Sequence, residues 1–180
     1  MACNCFNNRP SIAGKSFKEK IDRCKCSCPA RFKAEENGRS FYIEKGTPIN
    51  IIDKVKVDAY LLDSNDFKKC DYLFIVKDKP KNNAEEGDPI KYIFVELKGT
   101  EVKTAIKQIE NTIDIFYNEG VLKKVYVDGV LVFAKYPKND GTYRKSLASL
   151  TNKFNRKVKG FRFEYKGTKT TYSPSKDKYL

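Results

Sequence analysis

The chain contains no histidine. This absence excludes Ser-His-Asp and Cys-His catalysis within the chain, zinc sites with histidine ligands, and acid–base chemistry by an imidazole. Any catalysis by this chain must therefore use carboxylates, lysine, tyrosine, cysteine or a bound metal ion.

Long hydrophobic runs are also missing from the 180 residues. The longest apolar stretches are short, strand-like runs such as residues 130–134, well under the roughly 18 residues that a membrane helix needs. The first residues, which include Cys3, Cys5 and Arg9, do not form the apolar segment of a secretory signal. The sequence therefore predicts a soluble, cytoplasmic protein with no membrane partner.

Acidic residues are scarce in the C-terminal third of the chain. Residues 123–180 hold 15 Lys/Arg and 4 Asp/Glu, a net charge of +11, whereas residues 1–122 hold 21 and 19, a net charge of +2. A one-sided positive field attracts polyanions, and nucleic acid is the commonest of them. The alternative is an ordinary lysine-rich surface. The residues expected to contact phosphates are Arg144, Lys145, Lys153, Arg156, Lys157 and Lys159.

Length and composition favour a single domain with one sizeable core, because 40% of the residues are hydrophobic and 13% are aromatic. Period-two patterns predict strands at residues 51–62, 70–76, 91–98 and 125–134 and around Phe161, Phe163 and Tyr165. Three- and four-residue spacings predict helices at residues 101–118, with Thr100 as N-cap and Gly120 as stop, and at residues 143–158. A turn is predicted at residues 63–66 and a long loop at residues 77–88. This order predicts an α/β or α+β domain with a mixed sheet.

Two opposite charges interrupt the apolar strand at residues 91–98. Glu96 and Lys98 are two residues apart, so they lie on the same face of the strand. They form either an ion pair at the end of the sheet or part of a chemical site. Asp71 opens the preceding strand, where it is either a turn carboxylate or a second acid of that site. Two carboxylates suit Mg²⁺, which takes oxygen ligands from protein and from a phosphate substrate.

The order of these residues resembles the core pattern of the PD-(D/E)XK nuclease superfamily: an acid at the start of one strand, Glu-x-Lys on the next, and then a helix. The matching stretches are KKCDYLFIV and FVELKGTEVKTAIKQIENTI. The proline of the pattern is absent, because Cys70 precedes Asp71. The resemblance covers about residues 52–134 and implies a restriction-endonuclease-like core there, with residues 135–180 as a basic C-terminal extension.

The resemblance also implies an activity, namely Mg²⁺- or Mn²⁺-dependent hydrolysis of phosphodiester bonds. It implies Asp71, Glu96 and the carbonyl of Leu97 as metal ligands and Lys98 as the catalytic lysine. Gln108 matches a glutamine that several branches place near the site; the alternative is a polar residue on the helix surface. Many members add an upstream acid, for which the candidates here are Glu19, Glu35, Glu36 and Asp58.

The expected partner is nucleic acid, with DNA favoured over RNA, and relatives in the superfamily are often homodimers. Restriction, repair and phage defence all suit such an activity. One alternative is a catalytically inactive protein that keeps the nuclease fold and binds nucleic acid. Another is a small protein whose basic face binds an acidic protein partner.

Five of the six cysteines fall within the Cys-rich segment of residues 1–30: Cys3, Cys5, Cys24, Cys26 and Cys28. Their single-residue gaps differ from the usual C-x(2-4)-C spacing of zinc sites, and iron–sulfur clusters, which occur in some relatives of the superfamily, also use wider spacings. We favour reduced thiols over a structural zinc site, and a zinc site over disulfides. Cys70 is expected to pack as a small buried residue.

Overall fold

The computed structural model describes residues 5, 10–26, 28–45, 50–62, 68–78, 87–98, 101–133 and 141–180, without the side chains of residues 50 and 141–143. The helices within these ranges are α1 (Phe17–Arg23), α2 (Val102–Asn118) and α3 (Gly141–Asn155), with a short 3₁₀ helix at Pro29–Phe32. The strands are β1 (Lys25–Cys26), β2 (Lys33–Glu36), β3 (Arg39–Ile43), β4 (Asn50–Lys56), β5 (Tyr72–Asp78), β6 (Pro89–Lys98), β7 (Tyr126–Phe133), β8 (Gly160–Lys166), β9 (Lys169–Ser173) and β10 (Lys178–Tyr179).

The strands form two mixed sheets. The larger sheet has the order β1-β4-β5-β6-β7-β8, in which neighbours from β1 to β6 are antiparallel and β6, β7 and β8 are parallel. The parallel pairs follow from the helical connections, since α2 and α3 carry the chain back between these strands. The smaller sheet has the order β10-β9-β3-β2. The predicted mixed α/β class with one domain is therefore confirmed.

The larger sheet is covered on both faces. On β6, Tyr92 and Phe94 pack with the helices, whereas Ile93 and Val95 pack with the smaller sheet. Strands buried on both faces read as nearly continuous apolar runs, which explains the sequences of β5, β6 and β7. Helix α2 lies so close to the sheet that a methyl group at Gly129 would approach a side-chain carbon of Ile109 to 2.9 Å.

The predicted central elements agree with the structure to within a few residues. Helix α2 begins at Val102 and ends at Asn118, and Gly120 adopts a φ of +78° just beyond it, as expected of a glycine that ends a helix. The N-cap of α2 is Glu101 and not the predicted Thr100, because the helix begins one residue later than expected. Thr100 itself, the turn at residues 63–66 and most of the loop at residues 77–88 lie outside the described residues.

The prediction of a strand at residues 51–62 is wrong for the second half of that range. Strand β4 ends at Lys56, and Ala59 is exposed with a φ of +56°. An alternating sequence does not reveal a residue with positive φ, because non-glycine residues adopt it only when surrounding contacts hold it. Lys77, assigned to a loop, is instead buried in β5, with its Nζ 2.9 Å from Asp53 Oδ2.

The strand predicted around Phe161 exists as β8, but it is not the last strand of the chain. Strands β9 and β10 follow it and join β2 and β3 in the smaller sheet, which the sequence did not predict. Among the described residues, no helix combines the length and the hydropathy needed to cross a bilayer.

A buried carboxylate on β7 links the two sheets. Asp128 is 2% exposed, and its Oδ2 accepts hydrogen bonds from Lys91 Nζ at 3.1 Å, Arg162 Nη2 at 2.7 Å and the Tyr179 hydroxyl at 2.7 Å. These donors come from β6, β8 and β10. Burial lowers the pKa of Arg162, but the hydrogen bond to Asp128 and its charge outweigh burial and raise this pKa above its usual range. Asp128 therefore compensates Lys91 and Arg162 from the buried side, and the more exposed Asp177 pairs with the same two cations.

We expect Asp128→Ala to lower the free energy of unfolding by about 3 kcal/mol, because Lys91 and Arg162 lose a buried counter-charge. Urea unfolding measures this loss. Glu164→Ala on β8 is the matched control: its partner Lys166 is half exposed at 3.7 Å, so its removal should cost about 1 kcal/mol or less. Equal losses in the two variants would contradict the role of Asp128.

Candidate active site

The pairing of β5 with β6 brings two acids together. Tyr72 on β5 pairs antiparallel with Val95 on β6, so Asp71 and Glu96 lie opposite each other one position beyond that pair. Residues directly opposite in an antiparallel pair share one face of the sheet. Both acids therefore lie on the helix-covered face of the larger sheet.

A hydrogen bond fixes Asp71 at this position. The backbone N–H of Leu97 donates to Asp71 Oδ2 at 2.7 Å. This contact extends the β5–β6 association past the last ladder pair and holds the carboxyl group against β6. The carbonyl of Leu97 remains a prediction as a metal ligand.

Glu96 occupies a position that the strand pattern reserves for an apolar side chain. It follows Tyr92 and Phe94 on the helix-covered face and is 1% exposed. Its Oε1 lies 3.8 Å from Lys98 Nζ, and its Oε2 is buried with no hydrogen-bond partner among the described residues. A buried carboxylate oxygen without a partner is costly unless a proton or a cation compensates it.

Burial raises the pKa of both acids. It is the largest cause of the rise of the Glu96 pKa to about 9, with the nearby Asp71 carboxyl second. Burial likewise raises the pKa of Asp71 to about 6, although the hydrogen bond from Leu97 opposes the shift. At neutral pH the site therefore holds a proton on Glu96 that a divalent cation would replace.

Lys98 and Gln108 complete the group. Lys98 Nζ lies 3.2 Å from Gln108 Oε1, and the side chain of Lys98 is 30% exposed. Gln108 is buried on α2, and its Nε2 donates to the carbonyl of Lys69 at 2.8 Å. The four predicted residues Asp71, Glu96, Lys98 and Gln108 therefore lie together, and the site opens to solvent beside Lys98.

Thr112 is a supporting residue that the sequence did not reveal. Its hydroxyl donates to the carbonyl of Gln108 at 2.8 Å and accepts from the N–H of Cys70 at 2.9 Å. Together with the bond from Gln108 to Lys69, this contact ties α2 to the residues that precede Asp71. The sequence feature that could have revealed Thr112 is its position: it is a second polar residue on the buried face of α2, four positions after Gln108.

The four candidates for an upstream acid lie in different surroundings: two affect the site and two do not. The carboxylates of Asp58 and Glu36 raise the pKa of Asp71, so both belong to the surroundings of the site. Glu19 instead caps α1 through Ser16, and Glu35 is exposed and pairs with Lys33. Asp58 lies in the turn after β4, and its electrostatic effect extends to Glu96.

The six predicted phosphate-binding residues lie in two kinds of environment. Lys153 pairs with Glu110 at 2.8 Å and with Asp114, and Lys157 Nζ lies 3.1 Å from Asp114 Oδ1. The two lysines therefore hold α3 and the turn that follows it against α2. The exposed ones are Arg144, Lys145, Arg156 and Lys159, of which Lys159 lies over the ring of Tyr126.

A groove of about 480 Å³ runs between α2 and α3. Lys103, Lys107 and Glu110 line it from α2, where Lys107 and Glu110 form an ion pair at 2.9 Å, and Lys145 lines it from α3. Gln108 of the candidate site follows Lys107 directly on the same helix. The six residues expected to contact phosphates all follow residue 143, whereas two of the three lysines that line this groove belong to α2.

No family model, curated protein or solved structure matches the chain. The function must therefore be inferred from the geometry of the protein itself.

We expect the metal-free protein to lose stability as pH rises from about 4.5 to about 9, because the folded pKa of Glu96 lies above its ordinary value. Across this range the folded state binds more protons than the unfolded state, so the free energy of unfolding falls. Glu96→Gln removes this titration, so its stability relative to wild type should increase with pH. Urea unfolding at several pH values in metal-free buffer measures the difference.

Glu164→Gln, at a half-exposed carboxylate on β8, is the matched control and should follow wild type across the same pH range. Mg²⁺ should restore stability to wild type at high pH more than to Glu96→Gln, because a ligand that binds only the folded state stabilises it. A stability difference between Glu96→Gln and wild type that does not change with pH would contradict the buried, protonated state of Glu96.

Proposed function

We propose that the protein is a Mg²⁺- or Mn²⁺-dependent nuclease that hydrolyses phosphodiester bonds of DNA. The observation that carries the proposal is the buried carboxyl group of Glu96, whose Oε2 has no hydrogen-bond partner among the described residues, opposite Asp71 and 3.8 Å from Lys98. An isolated surface ion pair would explain neither the burial of Glu96 nor the second acid beside it.

The donor atoms fit a hard divalent cation. Asp71 and Glu96 supply carboxylate oxygens, which Mg²⁺ and Mn²⁺ prefer, and the carboxylates of Asp58 and Glu36 add negative potential around them. Asp71 and Glu96 would hold the ion, with the Leu97 carbonyl as a further ligand. When bound there, the ion polarises a phosphoryl oxygen and lowers the pKa of a water molecule.

Lys98 is the residue proposed to act on the reacting atoms. Its ammonium group donates a hydrogen bond to Gln108 Oε1 at 3.2 Å and lies 3.8 Å from Glu96 Oε1. A positioned ammonium orients an attacking water and stabilises the negative charge that develops on the phosphoryl oxygens. Gln108 is a positioning residue, because its Oε1 accepts a hydrogen bond from Lys98 while its Nε2 donates to the carbonyl of Lys69.

The groove between α2 and α3 supports a polyanionic substrate. Lys103, Lys107 and Lys145 line it together with a single acid, Glu110, which pairs with Lys107 at 2.9 Å, so the lining has a net positive charge. Lysines that contact phosphates position a nucleic acid without reading its sequence, so binding should fall steeply with salt. DNA remains favoured over RNA as the substrate, and a homodimer remains a prediction.

Purified protein should nick or cut plasmid DNA in Mg²⁺ or Mn²⁺, stop after addition of a chelator, and resume with excess Mg²⁺. Lys98→Gln should lower the cleavage rate by about 10²-fold or more, because the charge that stabilises the transition state is removed. Glu96→Gln should abolish cleavage through loss of the ion. Agarose gels of supercoiled, nicked and linear plasmid over time measure these rates, and single-stranded DNA and RNA test the substrate class.

Lys169→Gln is the control for Lys98→Gln, because Lys169 is exposed on β9 in the smaller sheet. It should cleave at the wild-type rate. Cleavage by Lys98→Gln at that rate would refute the assigned role of Lys98. DNA binding without cleavage in any metal would favour the alternative of an inactive nuclease fold, and acidic protein partners that survive nuclease treatment would favour a protein-binding role.

Two lysines on α3 should behave differently. Lys145→Ala should weaken DNA binding and reduce the slope of log affinity against log salt by about 1, with no loss of stability. Lys153→Ala should instead lower the free energy of unfolding by about 1 kcal/mol, because it breaks ion pairs with Glu110 and Asp114. Fluorescence anisotropy with a labelled duplex in metal-free buffer and urea unfolding measure the two effects. A larger binding loss in Lys153→Ala would reverse these assignments.

A further inference from the structure

Three cysteines from two separate parts of the N-terminal segment, Cys5 and the pair Cys26 and Cys28, lie close together in the fold. The sulfur atoms of Cys5, Cys26 and Cys28 all lie within 4.8 Å of one another. Cys26 and Cys28 are separated by one residue, but Cys5 lies more than 20 residues earlier. The folded chain therefore creates a sulfur cluster that the C-x-C spacing alone did not favour.

The backbone on each side of this cluster is anchored. Cys26 belongs to β1 and pairs with Lys54 of β4. Cys28 precedes the 3₁₀ helix, whose carbonyl at Ala30 accepts from Lys54 Nζ at 2.9 Å. The carbonyl of Cys5 accepts from the hydroxyl of Tyr60 at 3.0 Å. The three thiols are thus held by contacts other than those between the sulfurs.

The sulfur separations suit a single tetrahedral ion. Zinc–sulfur bonds of about 2.3 Å in a tetrahedron place neighbouring sulfurs about 3.8 Å apart. The Cys26 and Cys28 sulfurs are 3.3 Å apart, and all three pairs stay within 4.8 Å. A disulfide requires about 2.05 Å. A four-iron cluster binds each thiolate to a different iron, which would hold the sulfurs farther apart.

We propose that Cys5, Cys26 and Cys28 bind one structural Zn²⁺ ion as thiolates. Soft thiolate ligands select zinc over the hard cations that suit Asp71 and Glu96, so the two sites take different metals. Three thiolates fill three corners of the tetrahedron, and water or a further donor fills the fourth. The ion joins Cys5 to β1, and through Tyr60 to the turn that carries Asp58. The proposal does not rest on the proposed nuclease activity.

Metal analysis by mass spectrometry tests the site in full-length protein purified from cells grown with added zinc. Wild type should contain about one zinc ion per chain. Cys26→Ser and Cys28→Ser should fall to the background level, because each removes a thiolate. Cys70→Ser is the matched control for zinc content, since Cys70 is a buried thiol beside Asp71, and it should retain the ion.

A second measurement uses only the wild-type protein, so its result does not depend on whether the cysteine variants fold. After removal of zinc, addition of Co²⁺ should produce an intense thiolate-to-cobalt absorption band in the near ultraviolet and the visible bands of a tetrahedral ion, and Zn²⁺ should displace both. The proposal is overturned if wild type holds no zinc and shows no such bands, or if a Cys26→Ser/Cys28→Ser double variant keeps its zinc. Iron with inorganic sulfide, or a mass lower by two hydrogens from a disulfide, would also overturn it.

Discussion

The hydrogen bond from the Leu97 amide to Asp71 at 2.7 Å is the contact on which the candidate site depends. It joins the residue before β5 to the end of β6, just where the ladder between those strands has ended. Because period two then places Glu96 and Lys98 on the same face as Asp71, a single register decides the position of all three charged groups. A slip of one residue would turn Glu96 into the apolar interface with the smaller sheet, away from Gln108 on α2.

The same register creates a conflict between sequence and environment. A strand covered on both faces favours apolar residues throughout, yet Glu96 is 1% exposed on β6 and its pKa is raised to about 9 by burial. Local conflicts of this kind persist in proteins mainly where function requires them. Lys98 is too far from Glu96, at 3.8 Å, and too exposed to compensate the buried charge fully. A bound cation would resolve the conflict, which is why the proposed metal site explains the residue better than an ion pair does.

The sequence predicted the elements whose signal is local and missed those whose signal is distant. Helix α2 and strands β5 and β6 have strong periodicity. Asp71, Glu96 and Lys98 were proposed from their charges on neighbouring strands, and Gln108 from the resemblance to the nuclease pattern. The smaller sheet was missed because its strands are short and β3 pairs in parallel with β9, some 130 residues later, as in the pair Ser40 and Lys169. The ion pairs of Lys153 with α2 were missed for the same reason, since its partners lie about 40 residues upstream.

The turn after β4 connects the two proposed metal sites. At one end, the N–H of Val57 donates to the carbonyl of Asp71 at 2.9 Å, so the turn is fixed to the residue that opens β5. At the other end, the hydroxyl of Tyr60 binds the carbonyl of Cys5 at 3.0 Å. Asp58 lies between these two contacts and adds to the negative potential at Asp71 and Glu96. The positive φ of Ala59 is unfavourable for a residue with a side chain, so contacts on both sides must hold it. Ordering Cys5 by a zinc ion would strengthen one of those contacts, and the N-terminal cluster would thereby support the position of Asp58.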